Sequence, residues 1–156
     1  MIAYLDASAL VKRYLLEPGS RETLALTAES EMVATSIISR AEVAAAFAKA
    51  VRLDLVTEHV ARKAQRSFDR DWQDLLRVPI TEALIDRART LAWNQALRGY
   101  DAVQLASALM WQESIGTDVV VGTFDRQLWT ATRQLGMKAW PEDLTGLDRI
   151  HGTGAG

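Results

Sequence analysis

A chain of 156 residues with 49% apolar content has the length of one domain and enough apolar side chains to close one core, which excludes a second catalytic domain. With 18 basic against 20 acidic side chains the formal net charge is -2, so nucleic acid is not held by bulk positive charge and any such contact must be local. The absence of cysteine excludes a disulfide framework, thiolate zinc sites and a cysteine nucleophile, and suits a reducing, cytoplasmic compartment.

The apolar run at 2–5 (IAYL) predicts a strand that stops at Asp6. Asp6 and the absence of a basic leader do not read as a secretory signal. Ser8 and the stretch ALVKRYLL predict a helix ended by Glu17-Pro18-Gly19, and Ser20 is placed to cap a second helix through Glu29. MVAT predicts a buried strand. Ser36 or Ser39 would cap the next helix, to about Leu53, and Thr57 one running to about Asp74, the two pairing as a hairpin. LRVPI at 76–80 is a third candidate strand, and Thr81 with Glu82 opens a helix that Gly99 ends. YDAVQLASALMWQES is helical and stopped by Gly116. DVVVG at 118–122 is a strand, DRQLWTATRQLG a helix and KAWP at 138–141 a last strand. Strands alternating with helices predict a parallel sheet covered on both faces, an α/β fold of three-layer α/β/α architecture. Residues 1–145 form the single domain of this reading and 146–156 a frayed C-terminal tail. No apolar stretch approaches the roughly 18 to 20 residues that span a bilayer, so no membrane partner is expected.

In an open parallel sheet, ligands bind beyond the carboxyl ends of the strands. Asp6 ends the first strand, Asp125 follows the DVVVG strand, Glu42 lies in the first turn of its helix and Asp101 opens another just after Gly99. All four are acidic and sit where the rhythm brings strand ends and helix starts to one edge. Carboxylates gathered without cations repel one another, and hard divalent ions, magnesium or manganese, are their natural guests. Such a site suits metal-assisted hydrolysis of a phosphodiester. Each acid taken singly reads as a helix cap before it reads as a ligand. Ser8, Ser36 and Ser39 are available for that task, which leaves Asp6 and Glu42 freer for chemistry.

Four ordered strings, YLDASALVKRYL, SIISRAEVAAAF, LRGYDAVQLASAL and VVVGTFDRQLWTATRQLGMKAW, resemble the PIN-domain ribonucleases and, more narrowly, the VapC-type toxins of prokaryotic toxin–antitoxin pairs. The resemblance covers about residues 1–141. It implies a five-stranded parallel α/β/α domain, metal ligation and catalysis by Asp6, Glu42, Asp101 and Asp125, support from the hydroxyls of Ser8 and Thr123, an RNA substrate, an antitoxin partner and a homodimer. Gln104 stands where many relatives carry a histidine that is not a metal ligand, so the ribonuclease reading is unaffected.

Arg13, Arg40, Arg98 and Arg126 lie near the acids in sequence and are candidates for guiding an RNA backbone, although ordinary surface ion pairs account for them about equally well. Two divalent ions would reverse the sign of the formal net charge, so metal loading itself would permit RNA to approach. The five tryptophans, Trp72, Trp93, Trp111, Trp129 and Trp140, fit core or interface packing better than base stacking. His59 and His151 are isolated and read as surface residues. The small faces around 41–50 and 102–108 allow close helix packing. Two competing functions are a receiver-like phosphoacceptor, which lacks its second acid beside Asp6, and a non-catalytic PIN-like binding module.

Overall fold

The computed structural model describes residues 1–151, with side chains through Leu147. The chain runs β1 (Ile2–Leu5), α1 (Ala7–Val11), α2 (Ser20–Ala28), β2 (Met32–Ser36), α3 (Ser39–Arg52), α4 (Glu58–Asp71), β3 (Leu76–Val78), α5 (Glu82–Gln95), α6 (Gly99–Ile115), β4 (Val120–Gly122), α7 (Arg126–Gln134), β5 (Lys138–Trp140) and α8 (Leu144–His151). All strand pairs are parallel, in the order β3-β2-β1-β4-β5. β1 is therefore central and flanked on both edges.

Alternate residues of the central strands feed two separate cores, as the period of two along a strand requires. Tyr4, Ala34, Val119 and Val121 pack with α5, α6 and α7 on one face. Ala3, Leu5, Val33 and Val120 pack with α1 to α4 on the other. The result is the three-layer sandwich that the βα rhythm predicts. α6 is covered along much of its length, with nine buried residues, so the alanines at 102, 106 and 108 belong to the core and offer no surface to a partner.

Local departures from the expected elements have identifiable causes. α1 stops at Val11, because the next residues tighten into i→i−3 bonding: Lys12, Arg13 and Tyr14 donate to the carbonyls of Ala9, Leu10 and Val11. α5 ends at Ala96, which adopts φ 51°, and Leu97 N–H closes the turn on the Ala92 carbonyl at 3.1 Å; Gly99 then begins α6 instead of ending α5. Gly19, at φ 93°, is the N-cap of α2, and Ser20 turns its hydroxyl back to the Leu15 carbonyl. A side chain at Gly19 would run into the ring of Phe124. Thr57 and Thr81 cap α4 and α5 as expected. The boundary drawn at residue 146 falls inside α8, so 146–151 continue a helix instead of fraying. The expected fraying of 152–156 and the surface placement of the His151 side chain lie outside the described residues; His59 is exposed.

Candidate metal centre

The chain leaves β1 for β2 and β3 on one side and later returns to place β4 and β5 on the other, so the strand order switches at β1. A crevice opens at such a point beyond the strands' carboxyl ends. Asp6 stands there, only 4% exposed, its N–H bonded to the Gly122 carbonyl of β4 at 3.1 Å. Its Oδ1 accepts the Ala9 N–H at 2.9 Å, capping α1, and the Ser8 hydroxyl at 2.7 Å. Its Oδ2 accepts the Thr123 hydroxyl at 2.7 Å. Asp6 is thus the cap of α1, not Ser8: the β/extended backbone at Asp6 aims its carboxylate at the open helix end. Burial pushes its carboxyl up to about 6 against the pull of these three donors, with Glu42 adding to the rise.

Glu42 sits in the first turn of α3 and is held by an amide from α6. Gln104, 2% exposed, donates to Glu42 Oε1 at 2.7 Å and to Ser39 Oγ at 2.9 Å, and its Oε1 accepts the Tyr4 hydroxyl at 2.6 Å. The Ser39 and Thr35 hydroxyls lie 2.7 Å apart, and Thr35 donates to the Leu5 carbonyl at 2.6 Å. Every polar atom of the Gln104 side chain is engaged, which fixes the amide's orientation. Ser39 is consumed by this network and does not cap α3. Burial raises the Glu42 carboxyl; Gln104 opposes the rise and Asp101 adds to it.

Asp101 and Asp125 share one cation of the chain itself. Arg98 places Nε 2.9 Å from Asp101 Oδ2 and Nη2 3.0 Å from Asp125 Oδ2. Asp125 also caps α7, its Oδ1 accepting the Leu128 N–H at 2.9 Å. Burial is the main cause that raises the Asp101 carboxyl, with Arg98 pulling it down and Asp125 pushing it up. Ser8 and Thr123 tie the loop after β4 to this cluster: Phe124 N–H donates to Ser8 Oγ at 2.9 Å and Asp125 N–H to Thr123 Oγ1 at 3.2 Å.

The four acids come from four separate segments and form one electrostatic chain, Asp6 to Glu42 to Asp101 to Asp125. The donor set is entirely oxygen, three of its carboxyls are raised by burial, and it suits a hard divalent cation. Among the described residues no three acids or imidazoles yet stand close enough to share one ion. Arg98 draws two of them to itself. Shape alone does not mark the place: grooves of about 690 Å³ beside β5 and about 480 Å³ between α5 and α6 contain none of the four acids.

The arginines divide. Arg98 reaches two acids, and Arg126 opens α7 next to Asp125. Arg13 instead lines a hollow with Glu31, Met32 and Asp71 at the amino-terminal end of β2, the opposite end of the sheet. Arg40 stacks 5.7 Å from the centre of the Trp72 ring. Sequence proximity failed for Arg13 because α1 and its turn carry the chain back along the sheet. Trp72 and Trp111 are buried, and Trp129 and Trp140 donate to the carbonyls of Pro141 and Glu22, whereas Trp93 is 88% exposed. The sequence reading missed Tyr4 and took Ser39 only as a helix cap. A hydroxyl-bearing ring in an aliphatic strand was the available signal for Tyr4.

Residues 3–133 match the family model for the PIN domain. The chain is 36% identical over 144 residues to Ribonuclease VapC45 of Mycobacterium tuberculosis (strain CDC 1551 / Oshkosh), covering 92% of this chain and 97% of that protein. Among solved structures, PAE2754 from Pyrobaculum aerophilum aligns with TM-score 0.60 at 24% identity, over 95% of this chain and 90% of that one. A toxin–antitoxin complex from Klebsiella pneumoniae aligns with TM-score 0.55 at 19% identity, over 79% and 88%. Family match, near-full-length kinship and a shared fold agree: the chain belongs to the PIN-domain family.

Proposed function

We propose that this protein is a metal-dependent endoribonuclease of the VapC type, the toxin component of a toxin–antitoxin pair. The observation that carries it is the gathering of Asp6, Glu42, Asp101 and Asp125 at the carboxyl end of β1, three of them raised by burial. These four would hold magnesium or manganese. Such an ion, when bound, supplies an acidified water and neutralises charge on a phosphodiester. The chain's residues do the positioning: Ser8, Thr123 and the α1 N-terminus fix Asp6, Gln104 presents Glu42 as an anion, and the α7 N-terminus fixes Asp125. Arg98 and Arg126 stand where an RNA backbone would pass; Arg13 and Arg40 have no part in this reading.

The name of the M. tuberculosis relative supports RNA as substrate, and the Klebsiella complex supports an antitoxin partner. The exposed alanines 41, 44 and 48 of α3, beside a groove of about 400 Å³ shared with α4, suit a partner's helix. Exposed Ile85, Trp93 and Tyr100 on α5 and α6 support pairing of two copies. No helix among the described residues is long and apolar enough to cross a membrane, which is compatible with work in the cytoplasm. The site lies within one nuclease domain, which takes in α8 beyond residue 145.

Asp6→Asn and Asp101→Asn are expected to abolish RNA cleavage while the circular dichroism spectrum is unchanged. Manganese at 100 times its Kd is expected to stabilise the wild type by about 2.7 kcal/mol, read as a raised melting temperature that both variants lose. Full cleavage by both variants would overturn the assignment, and a wild-type melt indifferent to manganese would favour a binding module.

A further inference from the structure

The Arg98 guanidinium touches both Asp101 and Asp125. Its two contacts take Oδ2 of each carboxylate, and Asp125 Oδ1 is already committed to the α7 N-terminus. Asp125 therefore has one oxygen to offer an ion, and Arg98 holds it. The arginine is not packed in place. Its side chain is 73% exposed, it is the extended N-cap residue of α6, and Gly99 beside it has open space where a side chain would be. The guanidinium faces solvent while the Asp101 and Asp125 side chains are 13% and 23% exposed, so water and ions reach the pair from the arginine's side.

We infer that Arg98 is a displaceable internal counterion: its guanidinium clamps Asp101 to Asp125 until a divalent cation takes those oxygens, and the freed head then faces the phosphate of the incoming RNA. The inference rests on the metal reading above and deepens it. The clamp keeps the acids tolerable before loading, and it explains why they have not closed into an ion-sized cage. Fork geometry is essential, because a guanidinium bridges two carboxylates that a lysine ammonium, a point charge, does not span in the same way.

The test is manganese titration by calorimetry, without RNA and at low ionic strength, on wild type, Arg98→Gln and Arg98→Lys, with circular dichroism to verify folding. Arg98→Gln is expected to bind manganese about three- to tenfold tighter than wild type. Arg98→Lys, which keeps the charge and loses the fork, is also expected to bind tighter than wild type. The KM for RNA is expected to move the opposite way, rising severalfold in Arg98→Gln, a split that general damage to the site would not produce. Equal or weaker manganese binding by Arg98→Gln overturns the inference alone. An Arg98→Lys affinity equal to wild type overturns the clamp in favour of net charge, and an unchanged KM overturns the handover to RNA. Failure of wild type and Arg98→Gln alike to bind manganese overturns the metal reading, and this inference with it.

Discussion

Asp6 carries the sharpest conflict between folding and chemistry. Its folded-state value of about 6 lies above the ordinary aspartate value near 3.9, so between those limits the folded protein holds a proton that the unfolded chain has released. Stability therefore falls as pH rises through that window, and above it the metal-free fold carries a buried anion that costs on the order of 2 to 3 kcal/mol. Asp6→Asn keeps the acceptor for Ala9 and removes the charge. In chelator at pH 8 the variant is expected to melt above wild type, and near pH 4 the advantage should vanish; a variant that melts lower at pH 8 would contradict this. Gln104→Leu takes one partner from the Tyr4 hydroxyl, which keeps Ser107 and the Ser36 backbone, and releases Glu42; it is expected to cost about 1 kcal/mol in urea denaturation. The acids were legible because each stands next to a strand end or a helix start. The role of Gln104 was not: its partners Glu42 and Tyr4 are 62 and 100 positions away, and no local pattern records them.

At the scale of the elements, capping a helix and facing the acidic cluster are not alternatives for two of the acids. Asp6 and Asp125 each give one oxygen to a helix N-terminus and keep the other turned to the cluster, which lets α1 and α7 hold the site in register. Ser8 and Ser39 misled because hydroxyls cap helices only where the backbone aims them; here they bond Asp6 and the Gln104 amide, while Ser36 accepts the Ile38 N–H at 3.4 Å. Asp125 separates the two duties. Asp125→Ala is expected to lose about 1 kcal/mol of stability with the cap, whereas Asp125→Asn should stay within about 0.5 kcal/mol of wild type and still fail to cleave RNA. Paired chemical denaturation and cleavage assays decide it. Thr57 and Thr81 were readable because each precedes an acidic first turn with no competing partner.

For the molecule as a whole, β1 joins two cores, with Tyr4 facing one and Leu5 the other. Neither face can be lost without uncovering the central strand. Far-UV circular dichroism, which follows every helix, and tryptophan fluorescence, which follows Trp72 on one side and Trp111 on the other, are therefore expected to report one coincident urea transition. Two separated transitions would mean that the faces fold independently. The layer order was legible in the alternation of strands and helices, while the ends of α1 and α5 were not, because they depend on i→i−3 bonds and a left-handed alanine.

Gly19 has a reach that its position in the chain conceals. The Phe124 ring sits against its bare α-carbon, and Phe124 separates Thr123 from Asp125, so one extra methyl at residue 19 would shove the peptide from which both of those side chains hang. A substitution that touches no polar group and lies more than a hundred residues upstream should then act as a lesion of the reaction centre: Gly19→Ala is expected to slow turnover in assays while the protein still folds.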